Sequence, residues 1–179
     1  MTEKTAPQKI LIVDDTPQNI KLLVAALKEL YTINVATGGS EALQLATGTA
    51  PPDLILLDIV MPEMDGYQVC AKLKGNQQTR DIPVIFLTAL ADDDDETKGL
   101  GLGAVDYITK PLKLPIVKAR IKTHLELKRC HDMLKKMLSD QAAELTRAER
   151  EYAALFSSSH RGPASAGCHF KPPAGRPPV

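Results

Sequence analysis

The chain has 179 residues, 44% of them hydrophobic and 25% charged, which suffices for one globular domain and an appendage. Lys+Arg and Asp+Glu balance at 22 each, so no global charge draws the chain to nucleic acid or to an anionic membrane. The polar start at Met1–Lys4 shows no secretory signal and no stretch is apolar enough to span a bilayer, which makes a cytoplasmic location the expectation.

Residues 1–8 read as a polar leader and residues 9–125 as a folded domain. Five short apolar runs are expected as strands: Ile10–Val13, Ile33–Ala36, Leu54–Leu57, Val84–Leu87 and Val105–Ile108. Nearly unbroken Ile, Leu and Val content marks parallel strands buried on both faces. Helices are expected near 17–29, 40–48, 65–74 and 92–102, with a further one beginning near 112. Thr16 and Pro17 suit the N-cap and first turn of the first helix. Asp65 suits the cap of the third, and Pro83 the entry of a strand. Alternating strands and helices predict an α/β fold with a doubly wound, three-layer sheet.

Between 112 and 156 the composition changes to Leu, Ala, Lys, Glu and Arg, without glycine. Leu127, Leu134, Gln141, Ala148 and Leu155 recur every seven residues, interleaved by His131, Leu138, Leu145 and Tyr152. That is an imperfect heptad seam. The expectation is an extended helix forming a coiled coil over 126–156, pairing with a second copy through Leu127, Leu134, Leu138, Leu145 and Leu155. His124 and His131 fall on this seam, where they read as tolerated polar breaks or as groups that tune pairing with pH. Residues 157–179 are rich in Ser, Gly, Pro and Arg and are expected to be disordered. Cys70, Cys130 and Cys168 are odd in number and far apart, which argues against a disulfide framework. Cys130-His131 and Cys168-His169 lack the spacing of a zinc site.

In an open parallel sheet, ligands collect at the carboxyl ends of the strands. There the first strand gives Asp14 and Asp15, the third Asp58, the fourth Thr88 and Ala89, and the fifth Lys110 and Pro111. Singly, an Asp after a strand is a cap or turn residue, a Thr is a cap, and Lys-Pro is a loop. Their ordered recurrence points to a site. Three neighbouring carboxylates repel one another, and a Mg2+ ion with oxygen ligands removes the conflict. With Lys110 alongside, such a site suits a phosphoryl group and one nucleophilic carboxylate.

The blocks ILIVDD, LILLDIVMPEMDGYQV, PVIFLTA and GAVDYITKP resemble the signature blocks of the response-regulator receiver family of two-component signalling, from about Lys9 into the helix after Pro111. The resemblance implies a flavodoxin-like sheet of order 2-1-3-4-5 with an extended C-terminal helix. It implies Asp58 as phospho-acceptor from a sensor histidine kinase. It implies Mg2+ on Asp15, Asp58 and the Val60 carbonyl, with Asp14 acting through water. Lys110 would stabilise the phosphoryl group, and the Lys110-Pro111 bond would be cis. Thr88 and Tyr107 would be the switch pair, resetting the face of the fourth helix, fifth strand and fifth helix. Apolar Val60 and Leu90 flank the site, where they are expected to slow self-dephosphorylation. Gly99, Gly101 and Gly103 weaken the fourth helix, and the run Asp92–Asp95 fits an acidic first turn.

The segment from Pro115 through Leu155 resembles linkers that lead to cyclic-di-GMP phosphodiesterase or diguanylate cyclase domains, and no such domain follows in this sequence. The expected output is therefore dimerisation or contact with a partner, without direct nucleic-acid or membrane binding and without enzymatic activity beyond self-phosphorylation and self-hydrolysis. A second reading is a relay shuttle to a histidine phosphotransfer protein. A haloacid-dehalogenase-type phosphatase would need an Asp at Val60 as general acid, and a dinucleotide site would need a glycine-rich turn in place of Asp14–Pro17.

Overall fold

The computed structural model describes residues 7–89 and 101–159. Residues 1–6 of the leader, Leu90, Asp92–Asp95, Gly99, nearly all of the expected fourth helix and the tail from residue 160 lie outside the described residues. Five strands form one parallel sheet: β1 (Lys9–Val13), β2 (Thr32–Ala36), β3 (Leu54–Asp58), β4 (Val84–Thr88) and β5 (Asp106–Thr109). Their order is β2-β1-β3-β4-β5, the doubly wound order that reverses between β1 and β3. Helices α1 (Pro17–Leu27), α2 (Gly39–Thr47) and α3 (Gly66–Gly75) connect them, and a C-terminal helix runs Leu114–Ser159.

The strands are apolar throughout because successive residues feed two separate cores. Leu11, Val13, Ile55, Leu57, Val84 and Phe86 pack with α2 and α3 on one face. Ile10, Ile12, Leu54, Leu56, Ile85, Leu87 and Ile108 pack on the other face with Leu23 and Leu27 of α1. Val117, Ile121 and Leu125, four residues apart on the C-terminal helix, complete that second core. Full burial of each such side chain is worth about 1.5–3 kcal/mol, enough to fix the first turns of this helix.

Capping follows the local sequence at α3, where Asp65 accepts from the Gln68 N–H and Gln68 returns a bond to the Asp65 N–H. At α1, Pro17 opens the helix but Thr16 makes no side-chain cap. Its hydroxyl donates to Asp15 instead, at 3.2 Å.

Two compact units divide at Met133–Leu134. The second is the distal helix, where Leu134, Leu138, Leu145, Tyr152 and Leu155 are 60–69% exposed. Among the described residues, no helix is long and apolar enough to cross a membrane.

Candidate functional site

Parallel strands bring their carboxyl ends to one edge, and the order reversal between β1 and β3 leaves a crevice there. Asp14 follows β1 and Asp58 is the last residue of β3, so both carboxylates emerge directly from the buried sheet. Asp14 is fully buried and Asp58 is 3% exposed, while Asp15 faces solvent. One oxygen from each of the three lies within 4.8 Å of the others. Hard oxygen donors at this spacing fit Mg2+, which takes few carboxylates and keeps water.

Lys110 follows β5 and closes the site from the other side. Its Nζ donates to Asp58 at 2.8 Å and to Asp14 at 3.3 Å. Its backbone N–H donates to the Thr88 carbonyl at 2.6 Å, and its bond to Pro111 is cis. Burial pushes the Asp58 carboxyl above its ordinary value; the Lys110 ammonium works against this and the Asp14 charge adds to it. For Lys110 burial alone would lower the pKa, and the pairing with Asp58 and Asp14 outweighs it, leaving the ammonium raised. At neutral pH the site thus holds one firmly charged cation between carboxylates.

Asp14 owes its orientation to a residue that sequence reading missed. The Asn19 amide donates to both Asp14 oxygens, at 3.1 and 3.0 Å, and the Thr16 N–H donates at 2.8 Å. Asn19 lies one turn into α1, and a polar residue there facing a strand-end Asp was the available signal. Gly66 was also missed. Its N–H donates to the Ile59 carbonyl at 2.9 Å, and a Cβ on it would lie 2.3 Å from the Asp58 carbonyl oxygen. The loop between them carries Glu63 at φ 65°, a left-handed conformation uncommon for a side-chain-bearing residue.

Val60 is 64% exposed, and its N–H lies 3.4 Å from Asp58. Thr88 ends β4 and is 4% exposed. Tyr107 sits opposite Phe86 on β5, half-buried against the first core. Thr88 is two residues beyond Phe86, so it shares that face of the sheet with Tyr107. The seam residues Leu127, Leu134, Leu138, Leu145 and Leu155 lie on the C-terminal helix, away from this constellation in sequence and all exposed.

Replacing Lys110 by Met leaves Asp14 and Asp58 facing each other without a counter-charge. The expected loss is about 1–3 kcal/mol of stability at neutral pH, less than for a fully buried pair because the lysine is partly solvated. The loss shrinks in acid as Asp58 takes a proton. Urea denaturation of both proteins at neutral and mildly acidic pH measures it; a pH-independent difference would contradict the electrostatic cause.

Residues 10–122 match the family model described as the response regulator receiver domain. Over 125 residues, 70% of this chain, it is 50% identical to a probable cyclic di-GMP phosphodiesterase of Vibrio cholerae. Over 128 residues, 71% of this chain, it is 43% identical to the response regulator PleD of Caulobacter vibrioides. The match spans 28% of each of those proteins. Among solved structures, the signal receiver domain of a signal transduction histidine kinase from Syntrophus aciditrophicus superposes with a TM-score of 0.62 at 42% identity. That match covers 68% of this chain and 91% of that one.

Proposed function

The chain belongs to the response regulator receiver domain family, and on that premise we propose that it accepts a phosphoryl group on Asp58 from a sensor histidine kinase and reports this through Thr88 and Tyr107. The observation that carries the reading is the buried Asp58 held 2.8 Å from the Lys110 ammonium beside Asp14.

In the proposed step a carboxylate oxygen of Asp58 attacks the phosphorus of a phosphohistidine. The new O–P bond forms as the P–N bond breaks, and the leaving imidazole keeps the electron pair and takes a proton. Asp58 must be ionised to attack, so its raised pKa makes the reaction weaken in acid sooner than for a solvated Asp. Lys110 offsets charge on the phosphoryl oxygens. Asp15, Asp58 and the Val60 carbonyl, with Asp14 through water, would hold Mg2+, which when bound supplies further charge stabilisation. Thr88 would turn to the phosphoryl oxygens and Tyr107, on the same face, would follow into the space released. The exposed Val60 gives no polar group to place an attacking water, which favours a long-lived phosphorylated state.

Mg2+ relieves the carboxylate repulsion only in the folded protein, so it is expected to stabilise the fold by about 1–3 kcal/mol at saturation. Thermal denaturation with and without Mg2+ measures the gain. Asp15→Asn should lose most of it, and an equal gain in that variant would count against Asp15 as a ligand.

For the output we propose a homodimer through the C-terminal helix. The i,i+4 ion pairs Lys122–Glu126, Lys128–Asp132 and Arg147–Glu151 together contribute only about 1 kcal/mol. That is small beside the burial value of the exposed leucines at 127, 134, 138, 145 and 155, which a second helix would cover. Light scattering after size exclusion, with and without beryllofluoride and Mg2+, tests this. Dimers in wild type that Leu138→Asp with Leu145→Asp dissociates support it. Monomers throughout would remove it and bring the phosphotransfer shuttle forward.

A further inference from the structure

The edge strand β5 carries a second cluster, formed by residues other than the three carboxylates. Asp106 is the first residue of β5, and its carboxylate is 15% exposed. It accepts from the Tyr107 N–H at 2.8 Å, from Arg120 Nη1, and from His124 Nε2 at 3.0 Å. Arg120 and His124 are four residues apart on the C-terminal helix, so both side chains fall on one stripe and reach one carboxylate. The same helix buries Val117, Ile121 and Leu125, which fixes the stripe against β5.

Arg120 has a second contact. Its guanidinium carbon lies 5.9 Å from the centre of the Tyr107 ring, within the range of a cation–π attraction. A surface cavity of about 110 Å³ borders the pair, lined also by Ile108, Thr109, Lys113 and Ile116. The ring borders this cavity, and the guanidinium beside it is held in place by Asp106. Burial alone would raise the Asp106 pKa, but the bonds from Arg120, His124 and the Tyr107 N–H hold it below the ordinary range. The anchor therefore stays charged at neutral pH.

We propose that Arg120 is a positioning residue for Tyr107: held by Asp106, its guanidinium keeps the ring where it lies in this structure and sets how readily it leaves that place. This rests on the reading of Tyr107 as the switch aromatic. A turn of the ring away from Arg120 forfeits this cation–π contact, so Arg120 opposes any state that needs such a turn and lowers the affinity of the protein for anything that favours that state.

The test has two arms on the full chain. In the first, ring resonances of labelled tyrosine are recorded without any phosphoryl analogue for wild type, Arg120→Met and Arg120→Lys. The Tyr107 signal should shift in Arg120→Met and return toward wild type in Arg120→Lys, while Tyr67 stays put. In the second, beryllofluoride with Mg2+ is titrated. Arg120→Met should bind it more tightly, on the order of two- to thirtyfold, and in a Tyr107→Leu background the same substitution should change nothing. An unmoved Tyr107 resonance, or an affinity gain that persists without the ring, overturns the proposal and leaves Arg120 a structural ion pair. If wild type and Asp58→Ala take up beryllofluoride alike, the reading of Asp58 fails instead. The ring resonances then decide the role of Arg120 by themselves.

Discussion

Asp58→Asn is expected to take up no phosphoryl group from acetyl phosphate and Mg2+, and at the same time to be more stable than wild type at neutral pH without Mg2+. The first follows because an amide is no nucleophile and neighbouring carboxylates do not replace it: Asp14 is fully buried and clamped by Asn19. The second follows from the sign of the pKa shift. Burial raises the folded-state pKa of Asp58 above its unfolded value, so the folded protein binds a proton more readily than the unfolded chain. Stability then falls as pH rises through that window, and ionised Asp58 is a liability at neutral pH. Asn removes the liability, and its advantage should vanish in acid, where wild type is protonated as well. Intact mass spectrometry reads the uptake and urea denaturation across pH reads the stability. A variant less stable than wild type at neutral pH would mean that the Lys110 pairing outweighs the burial.

Gly66→Ala is the second large effect. The added Cβ would meet the Asp58 carbonyl oxygen at 2.3 Å, the Ile59 Cα at 2.9 Å and the Asp58 carbonyl carbon at 3.0 Å. All three are backbone atoms, so no side chain can rotate away, and α3 must shift from the end of β3. The expected cost is about 1–3 kcal/mol or more. Displacing the Asp58 backbone also moves the acceptor, so phosphoryl uptake should slow by on the order of tenfold or more. Gly75, at the end of the same helix, meets nothing within 4 Å. Gly75→Ala is accordingly expected to be neutral or to stabilise by about 0.4–1 kcal/mol. Chemical denaturation and acetyl phosphate kinetics on both variants separate the two cases. Equal stability for both would mean that the β3–α3 contact yields without cost.

The sheet was legible because each strand is a short apolar run feeding two cores, a pattern that survives in one dimension. Ile10 and Leu11 go to opposite faces, and both are apolar. Helix ends were less legible: α1 stops at Leu27, two residues short of the helix expected near 17–29, and helix termini fray without a strong stop signal. Asp14, Asp15, Asp58, Thr88 and Lys110 stood out because each is polar at the end of an apolar run. Asn19 and Gly66 did not. Asn19 matters through a bond to a carboxylate five residues earlier, across a turn whose geometry composition does not reveal. Gly66 matters through the close approach of a backbone that only the fold supplies. Asp106 and Arg120 are ordinary charged residues until β5 and the C-terminal helix are set side by side, and His124, placed on the heptad seam by its spacing, faces Asp106 instead. Thr16 shows the opposite case, a good cap residue by type whose hydroxyl is taken by Asp15.

The most direct test of the account is to phosphorylate the wild-type chain with acetyl phosphate and Mg2+, reduce the acyl phosphate with borohydride, and map the modified peptide. The prediction is one modification per chain, at Asp58, converted to homoserine and absent without Mg2+. Modification at another carboxylate, or none under conditions where the protein is folded, would contradict it.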